Sequence, residues 1–220
     1  MKKDETVREM TLGQLKDIVT TMIGAIPKLS FAKAKGIIGN KRQLISGIQV
    51  VFNEFETNQF LWRIFEDPLM IPAVNGQRII AEASDVFPGW IDSDLKKWGA
   101  DEAGPETGET KTEVYEIVKD GNFRKLFGSL NSDISKLCLT QHQIIIFIEK
   151  HRSWLRDDGF DTFFLFRSKN TIFKDDSLGE YFVADVSVVS NGLKVNVDQF
   201  ERSDVWHAEY RRRLVVPQLA

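Results

Sequence analysis

The spacing of apolar positions changes along this chain, and the changes divide it. Leu12, Leu15, Ile18, Val19 and Met22 recur at helical spacing. Thr11 and Gln14 open that run with a Thr-x-x-Gln capping pattern, and Pro27 ends it. Ser30 caps a second predicted helix that runs to about Ile38, where Gly39 supplies a stop. Asn40 caps a third, with Leu44, Ile45, Ile48, Val51, Phe52 and Phe55 as its apolar stripe. Residues 58–65 fit either an extension of that helix or the start of a strand.

From Asp67 to Trp98 the signals are short and broken by Pro68, Pro72 and Pro88. Asn75-Gly76, between Met70–Val74 and Ile79–Ala81, reads as a two-residue hairpin turn, and Ser93 as the cap of a one-turn helix through Trp98. Residues 99–113 are rich in Gly, Glu and Thr and read as an acidic linker. Beyond it, Thr140 and Gln143 form a capping box, while Leu139 and Ile144 occupy the two positions of a hydrophobic staple. Those paired start signals predict a buried helix, reaching roughly Leu155, where the Ile144–Ile148 run alone would also suit a strand. Thr162–Phe166 is apolar on both sides, as in a central strand. Phe182, Ala184, Val186 and Val188 alternate with Tyr181, Val183, Asp185 and Ser187 in a half-buried strand. Asn191-Gly192 turns the chain into Leu193, Val195 and Val197, and Leu214–Val216 makes a last strand that Pro217 confines to an edge or an end. The expected fold is α+β: a helical N-terminal region with an irregular segment (1–98), the linker (99–113), and a C-terminal domain (114–220). In that domain a helix packs on a small, mainly antiparallel sheet of about four strands. The chain contains no internal repeat.

Composition narrows the class. With 220 residues the chain can bury a real core, and no apolar run approaches the roughly 20 residues that span a bilayer. No apolar signal segment follows Met1-Lys-Lys-Asp-Glu, and the lone Cys138 excludes an internal disulfide, so a cytoplasmic protein with no membrane partner is expected. The net charge of −3 conceals a surplus of four positive charges over residues 1–65, eight negative over 66–120 and one positive over 121–220.

Leu139-Thr-Gln-His-Gln-Ile-Ile-Ile-Phe through Trp154-Leu155, Phe163-Phe-Leu-Phe166, Tyr181-Phe-Val-Ala-Asp-Val186, Gly192-Leu193 and Val205–Leu219 together carry a pattern. It resembles an uncharacterised family of short cytoplasmic proteins from small-genome candidate-phylum bacteria, over about the last 110 residues and loosely over Ile37–Phe55. The resemblance implies a bacterial cytoplasmic origin and no catalytic residues.

Three kinds of chemistry are expected to compete. Ile37–Ile48, with Gly39-Asn40-Lys41-Arg42 at its centre, is similar to the helix–GxxG–helix core of the KH fold, which clamps single-stranded nucleic acid. It departs from that core at Arg42, which stands where the second glycine belongs; a helix pair with a Gly-Asn junction and a helix-turn-helix fit the same residues. A nucleic-acid interface would use Lys33, Lys35, Asn40, Lys41 and Arg42, helped by Arg211, Arg212 and Arg213, unless those arginines merely pair with nearby carboxylates. A small hydrolase or ribonuclease would use His207, Glu209 and His151, whereas His142, at the second helical position, is expected to be exposed. No metal-ligand spacing, serine elbow, phosphate loop or dinucleotide fingerprint is present, so neither a metal nor a cofactor is expected. The leading expectation is a non-enzymatic protein that binds an unknown protein partner. It rests on that absence and on a two-sided apolar strand, with Phe164, Phe166 and Tyr181 as candidates for a face awaiting a cover.

Overall fold

A computed structural model describes residues 60–64, 67–157, 159–173 and 180–219. The chain divides into two compact units, Met1–Glu54 and Phe55–Ala220, and every described residue belongs to the second. The predicted helices of residues 11–55, and the candidates Lys33, Lys35, Asn40, Lys41 and Arg42, lie outside the described residues.

In chain order the elements are β1 (Leu61–Arg63), β2 (Leu69–Ile71), a 3-10 turn (Ile80–Glu82), β3 (Trp90–Ile91), α1 (Asp94–Lys97) and β4 (Thr110–Ile117). They continue with α2 (Phe123–Gly128), a 3-10 turn (Ile134–Leu137), α3 (Gln141–Lys150), β5 (Asp161–Arg167), β6 (Tyr181–Val189), β7 (Gly192–Gln199) and β8 (Arg213–Pro217). All strands belong to one eight-stranded sheet in the order β1-β4-β8-β5-β6-β7-β3, with β2 also on β4. The sheet is mixed, because β5 runs parallel to β8 and β3 parallel to β7 while the other pairs are antiparallel.

The expected sheet of about four strands is therefore corrected. Its four members are present as β5 to β8, but residues 61–117 add four more. Residues 61–63, where helix and strand signals competed, are strand. The stretch read as a linker, 99–113, ends inside β4, where Thr112 and Val114 are buried and pair with Pro217 and Val215. Lys111, Glu113 and Tyr115 alternate with those residues, so the segment is polar by count yet half-buried by period. The Asn75-Gly76 hairpin is also absent. Val74 pairs with Thr107 and the Gly76 carbonyl accepts from Gly104 N, while Ile80–Glu82 is helical. Gly76 sits at φ +76, with the place of a Cβ 2.1 Å from the Gly104 carbonyl oxygen, so only glycine allows this approach.

Local signals fared better. The Thr140 hydroxyl accepts from Gln143 N and the Gln143 side chain accepts from Thr140 N, closing the capping box at the start of α3. Leu139 and Ile144 are buried in one cluster, as a staple requires. The helix stops at Lys150 and a 3-10 turn, Arg152–Trp154, follows. The β6–β7 hairpin forms, but with Val189 opposite Gly192, so the turn residues are Ser190 and Asn191 rather than the expected Asn191 and Gly192. Asp92, rather than Ser93, caps α1 by accepting from Asp94 N.

The sheet has a core on each face. Phe164 and Phe166 of β5, Phe182 and Val186 of β6 and Val215 of β8 pack with α3 and with Ile71, Ile80, Phe87 and Leu95. Phe163, Leu165, Tyr181, Val183 and Leu214 point the other way, against Phe123, Leu126 and Phe127 of α2. The two-sided apolar strand is thus covered on both sides by its own chain. Phe164 and Phe166 share the face that meets α3, Tyr181 lies on the opposite one, and all three are buried, which removes the basis for a stacking face there.

Candidate functional site

Where the second half of β5 ends, three segments converge. Leu139 N donates to the Leu165 carbonyl, which holds residues 138–140 beside the strand, and α3 begins immediately after. Gln141, 2% exposed, then ties the 99–105 segment to the helix: its amide donates to the Ala100 and Glu102 carbonyls at 2.9 Å and its oxygen accepts from Ile80 N at 2.9 Å. Glu102 secures the far side, its carboxylate accepting from Lys169 N at 2.7 Å and Asn170 N at 3.3 Å. The place of a Cβ on Gly104 lies 3.0 Å from the Thr140 side chain, so the backbone there runs close over the helix start.

These segments enclose a cleft of about 310 Å³, at the lower end of the range for ligand sites. Arg167 and Lys169 supply its cations, the start of α3 its peptide dipoles, and Pro105, Leu139 and Cys138 its apolar surface. Arg167 pairs with Glu180 at 2.6 Å yet keeps 42% of its side chain exposed. The Cys138 thiol points toward the Ile134 carbonyl, and burial pushes its pKa up to about 12, which leaves it without thiolate character near neutral pH. The cleft can hold an anion, and it presents no activated nucleophile. None of its residues stands among the candidates read from sequence, because the cations and the helix start meet only across the fold.

The sequence-predicted catalytic residues are not brought together. His151 packs against Phe147 and its Nε2 lies 2.9 Å from the Met70 carbonyl, on the α3 side of the sheet. His207 is on the other side, after Trp206, with Nδ1 3.0 Å from Asp120 Oδ2. Asp120 also accepts from Ala208 N, and these two bonds hold its pKa below the usual carboxylate range. Glu209 is exposed. His142, expected in solvent, is buried; burial and the nearby Arg78 lower its pKa, because the 67–100 segment packs over the start of α3.

The three arginines have three fates. Arg211 is exposed at φ 46, with Glu116 3.6 Å away. Arg212 donates to Asp161 at 2.8 Å and sits among Tyr210, Trp206 and Phe160, 4.9, 5.0 and 5.8 Å from their ring centres. Arg213 donates to the Trp154 and Leu155 carbonyls. Arg212 and Arg213 therefore serve the fold, and Arg211 is the one of the three that presents its guanidinium to solvent. Among the described residues no group of three or more His, Cys, Asp or Glu side chains is placed to hold a metal, and no helix is long and apolar enough to cross a membrane. No protein-family model, no curated protein and no solved structure matches the chain.

Proposed function

We propose that this chain acts by binding rather than by catalysis, and that the cleft at the start of α3 takes the anionic group of a small ligand. The observation that carries this reading is the meeting of Arg167 and Lys169 with the N-terminus of a ten-residue helix around an apolar floor. Cations and helix dipole favour a phosphate or carboxylate, and the apolar lining accommodates the body attached to it. The high thiol pKa of Cys138 and the separation of His151 from His207 speak for binding over turnover.

The test is a titration of the full chain with inorganic phosphate and with citrate, followed by backbone amide NMR. Saturable shifts at Gly104, Thr140 and Lys169, weakened by salt and lost in an Arg167→Ala/Lys169→Ala double variant, are expected. Shifts scattered over the surface, or none, would remove the proposal. A parallel titration with single-stranded RNA has its own signature. Shifts at Phe160, Tyr210 and Arg211 instead would favour a nucleic-acid partner.

A further inference from the structure

The face of the sheet opposite α3 is apolar around Phe163, Leu165 and Leu214 but turns polar at one corner. The register sets Asp161 opposite Ser187 and Ser187 opposite Lys194, with Arg212 entering beside Asp161. In the next row Phe163 faces Asp185 and Asp185 faces Asn196. Asp161 already holds a donor on each oxygen: Ser187 Oγ at 2.5 Å on Oδ1 and Arg212 Nε at 2.8 Å on Oδ2.

Asp185 lies against this carboxylate and is 7% exposed, and its Oδ1 is buried without a hydrogen-bond partner among the described residues. Two carboxylates in contact repel, and a buried one has also lost its water. The arrangement becomes fully satisfied when Asp185 carries a proton and donates it to Asp161. The charged groups that act on Asp185 are Asp161 on β5 and Lys194 and Asp198 on β7, while Arg212, just before β8, pairs with Asp161. Burial first, then Asp161 and Asp198, hold the Asp185 pKa well above the usual carboxylate range, against a smaller opposing effect of Lys194.

The connection from β7 to β8 covers this corner. Trp206 packs 4.8 Å from the ring of Phe163, the residue directly across from Asp185, and is pinned by backbone pairing with Gly121. Phe160 and Tyr210 stack with ring centres 5.0 Å apart, next to Arg212. We infer that Asp161 and Asp185 share one proton, and that its release to water loosens the 200–212 connection lying over them. An ionised Asp185 needs water, and lifting Trp206 from Phe163 and Arg212 from Asp161 opens the corner to it. The acid pair therefore works as a proton-operated latch on the surface that carries Phe160, His207, Tyr210 and Arg211.

The experiment is amide hydrogen exchange on the full chain at about pH 5 and about pH 8, expressed as protection factors so that the intrinsic pH effect cancels. Protection over residues 203–212 is expected to fall about tenfold at the higher pH, with β5 and β6 unchanged, which corresponds to one pKa unit of linkage. Asp185→Asn, whose amide can still donate to Asp161, is expected to abolish the difference. Carboxyl carbon shifts of Asp185 in the unmodified protein give an independent reading, with a titration step above the usual carboxylate range. Equal protection at both pH values, a difference that survives in Asp185→Asn, or an Asp185 step at an ordinary carboxylate pH would each overturn the inference.

Discussion

The two ends of β5 hold arginine–carboxylate pairs that look alike in a contact list and behave as opposites. At the C-terminal end Arg167 pairs with Glu180 at 2.6 Å, beside the Tyr181 ring, with 42% of its side chain exposed. At the N-terminal end Arg212 pairs with Asp161 at 2.8 Å, inside three aromatic rings, with both side chains 15% exposed. An exposed pair gains little because water screens it, so Arg167 can turn to a ligand at small cost. A desolvated pair is committed, since removing one partner strands the other. Net charge and residue type therefore do not separate the arginine left open to solvent from the committed one; exposure does.

The largest expected effect tests the committed end. Arg212→Ala should destabilise the protein by about 3–5 kcal/mol, because Asp161 loses its cation while Asp185 remains beside it. Urea denaturation of this variant, of Asp161→Asn and of the double variant measures the coupling, and additive losses would show that the pair is not the cause.

Next comes the strut of the other end. Gln141→Ala leaves Ile80 N and the Ala100 and Glu102 carbonyls without their partner, which should cost about 1–3 kcal/mol. It should also release the 99–105 wall of the cleft, so stability and anion affinity fall together. Loss of stability with unchanged affinity would separate the strut from the site.

Asp185→Asn sharpens the contrast through pH. A carboxyl raised in the folded state contributes stability that is complete below the ordinary carboxylate pKa and is lost as pH rises through the raised value. The unmodified protein should therefore lose stability on going from about pH 5 to about pH 8 at this site, and the Asn variant should be the more stable of the two at about pH 8. Denaturation curves at the two pH values decide it, and parallel pH dependence in both proteins would contradict it.

The smallest expected effect on stability belongs to Arg167→Ala, below about 1 kcal/mol for an exposed pair, although anion binding should weaken clearly. A large loss of stability would mean that the two ends of β5 differ less than their exposures indicate.

What could be read from sequence in this protein is what short-range physics encodes. The capping box and staple of α3 involve residues three to five apart, and the β6–β7 hairpin closes over two turn residues, so both were legible. His142 illustrates the limit: its helical position was right and its exposure wrong, because the covering segment comes from residues 67–100. β4 was hidden for the same reason. Its Thr and Val positions are buried only because β8 arrives about a hundred residues later, and the charges between them gave the segment the composition of a linker. The cleft joins residues 102–105, 138–141 and 167–169, and the acid pair joins strands that pass each other at Asp161 and Asp185. The capped helix α3 and the β6–β7 hairpin followed from local pattern alone, whereas β4, burial, the shared proton and the choice between a structural and a solvent-facing arginine follow from which distant segments remove water from a given side chain.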